Sequence, residues 1–312
     1  MVLLIQRLSR SLMPSSKLEN HPHHHARKAF SAPLHAFEAE ISKGLVQLSL
    51  KSNPSSEILT LPWIRQCLHL LPTMNKAFSK LVVDIDYPMN SWELASMEEY
   101  LQDSLKLLDL LNSISSSLSH LSRARVAMSY ALNLMENSPS VAMKRLEAIQ
   151  PFSFNKNCRY EEEKEDEGQE KFCSGKEWVI HQALVMMKTV AFSLCGVVTS
   201  SLCGDIQSWL EIGKTVGQLG NSSLMSPHLS VSEEMIKSGY VLKEVRDVNE
   251  GVVRFFAAAG SGQSKDEEKD LQRRVELLGK LLEGVGEEVD QLFSEVLVGR
   301  NDLLNCLGQR KQ

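Results

Sequence analysis

The chain has 312 residues, of which 43% are hydrophobic and 6% are aromatic, and its formal net charge at pH 7 is −5. This length and this hydrophobic content suffice for one large or two ordinary domains with a buried core. Because an acidic chain without a basic stripe does not attract nucleic acid, we expect no nucleic-acid partner.

The six cysteines are scattered, and no two of them form a C-x-x-C pair. That spacing supports neither a zinc site nor a disulfide framework. We therefore expect reduced, mostly buried thiols and an intracellular protein. The cysteines are Cys67, Cys158, Cys173, Cys195, Cys203 and Cys306.

Residues 1–32 are predicted to be a disordered tail that is basic and histidine-rich, with Glu19 as its single acid. Such a composition also fits an organelle transit peptide, and both interpretations stay open. The histidines, His21 and residues 23–25, have no partnering acid or cysteine, so we expect no metal site there. A short amphipathic turn in the tail would combine Leu4, Leu8, Leu12, Arg7 and Arg10.

Two helices are predicted next. The first begins at Pro33 and ends before Asn53, and its apolar spacing comprises Leu34, Phe37, Ile41, Leu45 and Leu48. The second follows Thr60, which can cap it, and Pro72 is expected to kink or split it. Because the link 84–90 is short, we expect the second helix to pack antiparallel to the third. Its predicted buried face is Trp63, Cys67, Leu70, Met74, Phe78 and Leu81.

The longest predicted helix covers residues 91–137, and the rest of the bundle is expected to pack on it. Its apolar residues recur at steps of three and four, which brings them onto one stripe. Ser91 is the predicted N-cap, and Asn137 with Pro139 should end the helix. The stripe is Leu94, Met97, Leu101, Leu105, Leu108, Leu111, Ile114, Leu118, Leu121, Met128, Leu132 and Met135.

A short helix, Val141 to Ile149, is predicted before an acidic loop at residues 151–177. The loop is poor in apolar residues and cannot offset the entropy of ordering. A calcium site is the alternative, but the acids lack the spacing of an EF-hand.

Residues 178–202 form the most apolar window of the chain, and their length matches a bilayer core. Lys188 lies inside it and would cost about 2.5–3.5 kcal/mol on insertion. A buried central helix is the preferred interpretation, and membrane insertion or peripheral attachment is the alternative.

The last third is predicted to be helical as well. One helix ends near Gly220, and a capping box of Ser230 and Glu233 opens another. That helix carries a stripe of Val241, Val245, Val248, Val252, Phe255 and Ala259. After a linker over residues 257–270, the final helix has a coiled-coil-like seam. The seam comprises Val275, Leu278, Leu282, Val285, Val289, Leu292 and Val296, and Leu303, Leu304 and Leu307 extend it.

No catalytic arrangement, nucleotide-binding loop or cofactor motif is present, so we expect no catalytic, cofactor-binding or metal residues and no enzyme activity. His69, His120 and His181 are interpreted as histidines at the core or its boundary. The fold class is all-α: an elongated antiparallel helical bundle. We expect one domain with a tail (1–32), an N-terminal helical part (33–150), the acidic loop (151–177) and a C-terminal helical part (178–312).

Four segments, in order along the chain, resemble the BYPASS family of plant proteins. They are Leu59–Ile64 (LTLPWI), Leu107–Leu121 (LLDLLNSISSSLSHL), Ala131–Pro139 (ALNLMENSP) and Gly299–Leu307 (GRNDLLNCL). The histidine-rich tail and the glutamate-rich loop depart from the family pattern. The resemblance covers most of residues 33–308 and supplies no active-site residue.

This resemblance implies a regulator of plant root and shoot development that restrains a root-derived mobile signal arresting shoot growth. It also implies a membrane-associated or chloroplast location, beside the cytoplasmic location that the scattered cysteines allow. The first hypothesis is a non-enzymatic protein that presents helical surfaces to a protein partner. A membrane-associated adaptor, attached through residues 178–202 or the tail, is the second. The third is a helical carrier or enzyme for a small apolar metabolite.

Overall fold

The computed structural model describes residues 30–50, 59–150, 175–203, 242–259 and 264–310, and within these ranges every regular element is helical. The all-α prediction is therefore confirmed. The helices are α1 (Ser31–Leu50), α2 (Leu61–Asp84), α3 (Leu94–Asn133), α4 (Pro139–Arg145), α5 (Gly175–Cys203), α6 (Lys243–Ala258) and α7 (Ser264–Arg310), and a 3-10 turn spans Met89–Ser91.

Four helices form the central bundle. Helix α3 packs against α5 and α7, and α2 packs against the same two helices. Helices α2 and α3 therefore lie at opposite corners of the four-helix bundle, and the prediction that α2 packs antiparallel to α3 is wrong. The reason is α5, whose side chains are buried around most of its circumference, so that it fills space a direct α2–α3 contact would need.

The remaining described helices flank this bundle. Helix α1 lies on α2, where Phe37 and Phe78 make an edge-to-face contact at 6.2 Å, and Gly44 leaves room for Leu70. Helix α6 packs on α7, and α4 packs on α3. Burying these faces joins the elements into one continuous hydrophobic core.

The predicted stripes of α2 and α7 are confirmed, because all six residues of the α2 stripe and all seven residues of the coiled-coil-like stripe of α7 are buried. The same holds for four residues of the α6 stripe, whereas Ala259 is exposed. In α3 the prediction is wrong at Leu94 and Leu105, which are 57% and 49% exposed. Both lie outside the arc of α3 that α5 and α7 cover.

Helix α3 begins differently from the prediction. Ser91 belongs to the 3-10 turn, and Glu93 is the N-cap residue without a side-chain cap of its own. Instead the Oε2 atom of Glu177, a buried side chain of α5, accepts from the Glu93 backbone N–H at 3.1 Å. Helix α3 ends at Asn133, four residues before the predicted end.

Other boundaries also differ. Helix α4 spans Pro139–Arg145 rather than 141–149, since Ile149 exchanges two hydrogen bonds, at 2.8 and 3.0 Å, with the Asn249 side chain. Helix α2 is continuous through Pro72 and is not split. Helix α5 starts at Gly175, inside the predicted acidic loop, and α7 starts at Ser264, inside the predicted linker.

Several predictions fall outside the described residues. These are the tail with its histidines, the acidic residues 151–174, the helix before Gly220 and the Ser230–Glu233 capping box.

Candidate functional site

The candidate site is a groove of about 340 Å³ between the first turns of α2 and the middle of α7. Its volume is at the lower end of the range for small-molecule and peptide side-chain pockets. Ten residues line it: Leu61, Pro62, Arg65, Gln66 and His69 from α2, and Lys280, Leu281, Gly284, Val285 and Glu288 from α7. The sequence predicted no site here, although the α2 wall begins in the LTLPWI segment.

Hydrogen bonds fix the start of α2 in place. The Thr60 hydroxyl accepts from the Trp63 backbone N–H at 3.2 Å, as the predicted cap requires. Leu59 has a positive φ of 67°, a strained conformation for a leucine, and its carbonyl accepts from the Lys243 N–H at 3.0 Å. The Leu61 N–H donates to Glu244 Oε1 at 3.1 Å. Helix α6 therefore fixes the wall of the groove from behind.

The charged side chains of the groove include more cations than carboxylates. Arg65 Nε lies 3.1 Å from Glu288 Oε1, and His69 Nδ1 lies 4.0 Å from Glu288 Oε2. Glu288 is thus shared between two side chains of α2. Lys280 is exposed and has no ion-pair partner among the described residues. The rim therefore combines two permanent cations with one carboxylate, and its excess charge is positive.

The floor of the groove is apolar, since Leu61, Pro62, Leu281 and Val285 contribute to it. Gly284 lies beside Arg65, since a Cβ there would make an ordinary van der Waals contact of 3.6 Å with Arg65 Nη1. An apolar floor beside a cation suits a ligand that presents an apolar side chain next to a carboxylate. Within the described ranges, no three His, Cys, Asp or Glu side chains are grouped as a metal site would require.

A second polar cluster lies between α3 and α5. His181 Nδ1 is 3.0 Å from Glu99 Oε2, and Lys188 Nζ is 3.4 Å from Asp103 Oδ1. Lys188, which counted against membrane insertion, is thus neutralised inside the bundle. Burial raises the pKa of Asp103 to about 6, although the Lys188 ammonium opposes the shift.

Asp103→Asn is expected to change how stability depends on pH. The ordinary aspartate pKa is 3.8, so the folded state binds this proton more tightly than the unfolded chain. The resulting stabilisation is full below pH 3.8 and is lost as pH rises through about 6. Between about pH 7.5 and about pH 4.5, wild type should gain about 2 kcal/mol in unfolding free energy relative to the variant.

Urea denaturation of both proteins at these two pH values measures the change, and Asp109→Asn on the same helix is the matched control. A difference between wild type and Asp103→Asn that is the same at both pH values would contradict the prediction.

The prediction that His69 lies at the core or its boundary is wrong, because His69 is exposed on the groove rim. His120 is partly buried, and its Nε2 contacts the Gln150 carbonyl at 3.2 Å. Four cysteines are described, and all are free thiols: Cys67, Cys195 and Cys203 are buried and Cys306 is partly buried. Cys158 and Cys173 fall outside the described residues.

Helix α5 is the one described helix that is long and apolar enough to cross a membrane. In the structure, 72% of its apolar window is buried among the other helices. This position agrees with the preferred interpretation of residues 178–202 as a central helix.

Comparisons with known proteins identify plant relatives. The chain is 27% identical over 309 residues to "Protein BPS1, chloroplastic" of Arabidopsis thaliana, covering 88% of this chain and 83% of that protein. It is 23% identical over 257 residues to "UPF0496 protein 4" of Oryza sativa, in both the japonica and indica subspecies, covering 72% of this chain and 54% of each rice protein. No family profile and no solved structure matches the chain.

Proposed function

We propose that this chain, which is similar to the Arabidopsis protein and resembles the BYPASS family, is a non-enzymatic regulator of root and shoot development. In this proposal it acts by binding a protein partner in the groove between α2 and α7. Restraint of a root-derived mobile signal is the finer role that the family resemblance suggests. The candidate compartments are the cytoplasm, a membrane surface and, from the name of the Arabidopsis relative, the chloroplast.

The observation that carries the proposal is Lys280, a cation of the groove that has no ion-pair partner within the described part of the chain. A surface lysine is usually solvated and adds little to stability. Lys280, however, lines the same groove as the apolar floor and as Arg65, whose charge is already shared with Glu288. A partner that brings a carboxylate and an apolar side chain would cover the floor and pair Lys280 at once.

The groove opens to the surface, and its wall and floor come from two packed helices. That shape favours a peptide or helix of a partner over an enclosed apolar metabolite. It therefore supports the interaction hypothesis more than the carrier hypothesis.

Lys280→Glu is expected to lower partner capture by about tenfold, because it replaces attraction by repulsion at the rim. The experiment is proximity labelling in root cells, followed by pull-down with purified protein. Lys80→Glu, an exposed charge reversal on α2 outside the groove lining, is the matched control and should capture as wild type does.

Circular dichroism and thermal melting establish that both variants are folded. Two results would overturn the proposal: wild type recovers no reproducible partner, or Lys280→Glu recovers the same partners in equal amount.

A further inference from the structure

A row of leucines lies on the outer surface where α3 and α7 meet, away from the groove. Four of them are exposed: Leu94 by 57%, Leu105 by 49%, Leu297 by 37% and Leu304 by 45%. Leu101, partly buried, lies among them. We call these five residues the leucine seam.

The placement of the seam follows from the contact between the two helices. The Arg300 guanidinium of α7 donates to the Leu101 carbonyl of α3 and, at 3.1 Å, to the Ser104 hydroxyl. Since residues three, four and seven apart share a helix face, Leu94 and Leu105 lie on the face of Leu101. By the same spacing, Leu297 and Leu304 lie on the face of Arg300. The five leucines therefore line one stretch of the α3–α7 boundary.

The charges along this stretch are acidic. Glu98, Asp109 and Asp290 are exposed at positions four or seven residues from seam leucines, and none has an ion-pair partner among the described residues. The Arg300 guanidinium is engaged with α3. An apolar row bordered by carboxylates is complementary to an amphipathic segment with basic residues.

The chain itself contains such a segment before its first described residue. Leu4, Leu8 and Leu12 recur at helical spacing, and Arg7 and Arg10 fall between them. Twenty-nine residues precede Phe30. Fully extended, they could span about 95 Å.

The first described residue also lies at the correct end of the bundle. The Phe30 ring lies 5.8 Å from Lys176 Nζ in the first turn of α5. The next residue of α5, Glu177, accepts from the Glu93 N–H, directly before Leu94. Phe30 and the seam thus share one end of the bundle, and the preceding residues can reach the seam.

We propose that residues 4–12 dock on the leucine seam, with the leucines against the row and the arginines near the carboxylates. This surface differs from the groove, so the proposal does not depend on the proposed function. In it, residues 4–12 act as an internal ligand that covers the apolar face of the bundle.

The test uses the full chain with photoreactive benzoylphenylalanine in place of Leu8. Irradiation of the purified protein followed by peptide mapping should give crosslinks within one chain to residues 94–105 or 297–304. Leu105→Asn combined with Leu297→Asn should lower their yield by about fivefold, and so should Arg7→Glu combined with Arg10→Glu.

Val253→Asn combined with Leu277→Asn, two exposed apolar positions outside the seam, is the matched control and should leave the yield unchanged. Melting curves establish that the seam variant is folded. Crosslinks between two chains would show that a second copy covers the seam and would overturn the proposal. It would also be overturned by crosslinks elsewhere in the chain, by their absence, or by a yield that the seam and arginine variants leave unchanged.

Discussion

Leu108→Asp is expected to unfold the protein or make it insoluble. Leu108 is 6% exposed and belongs to the arc of α3 that faces the bundle interior. An unpaired buried carboxylate costs several kcal/mol, which is a large share of a total stability of about 5–15 kcal/mol. Chemical denaturation of the soluble fraction, with the yield of soluble protein as a second readout, measures the loss.

Leu105→Asp is the matched control for this substitution. It makes the same chemical change three residues away in the same helix, where the side chain is 49% exposed. We expect it to cost less than about 1 kcal/mol, in the range of ordinary surface substitutions. Equal stability of the two variants would show that the two faces of α3 do not differ in burial as described.

Trp92→Ala is expected to lower the unfolding free energy by about 3–5 kcal/mol, as truncations of large buried aromatic residues do. Trp92 is 1% exposed and lies between Phe78 of α2 and Tyr100 of α3, with edge-to-face ring distances of 5.8 and 6.3 Å. Its indole N–H donates to the Tyr87 carbonyl at 3.1 Å. One side chain thus joins two helices that do not otherwise pack along each other.

Trp92→Phe separates the two contributions. It keeps an aromatic ring between Phe78 and Tyr100 but removes the hydrogen bond and part of the buried volume, so we expect a loss of about 1–2 kcal/mol. Urea denaturation of wild type and both variants gives the three free energies. If Trp92→Ala were no less stable than Trp92→Phe, packing of the ring between Phe78 and Tyr100 would not contribute to stability.

Residues that lie on a regular apolar period were predictable. The buried faces of α2 and α7 match the prediction residue by residue, because a helix with one apolar stripe must bury that stripe whichever neighbour covers it. The Thr60 cap was predictable for a similar reason, since the donor and acceptor lie three residues apart.

Features that depend on a distant residue were not predictable. Helix α3 is capped by Glu177, which lies 84 residues away from Glu93 in the chain. Leu94 and Leu105 fit the apolar period of α3 and are nonetheless exposed, because α5 and α7 cover a narrower arc than the period includes. The groove depends on the pairing of Arg65 with Glu288, which are 223 residues apart.

The helical class, most of the buried faces and the likeness to BYPASS proteins follow from the residues alone, because each depends on their order and spacing along the chain. The choice of neighbouring helices, the capping of α3 by Glu177 and the meeting of cations and apolar side chains from α2 and α7 depend on how the whole chain packs. Periodicity specifies which face of a helix is buried but not which helix covers it. The partner is selected by the volume and polar pairing of all the helices together.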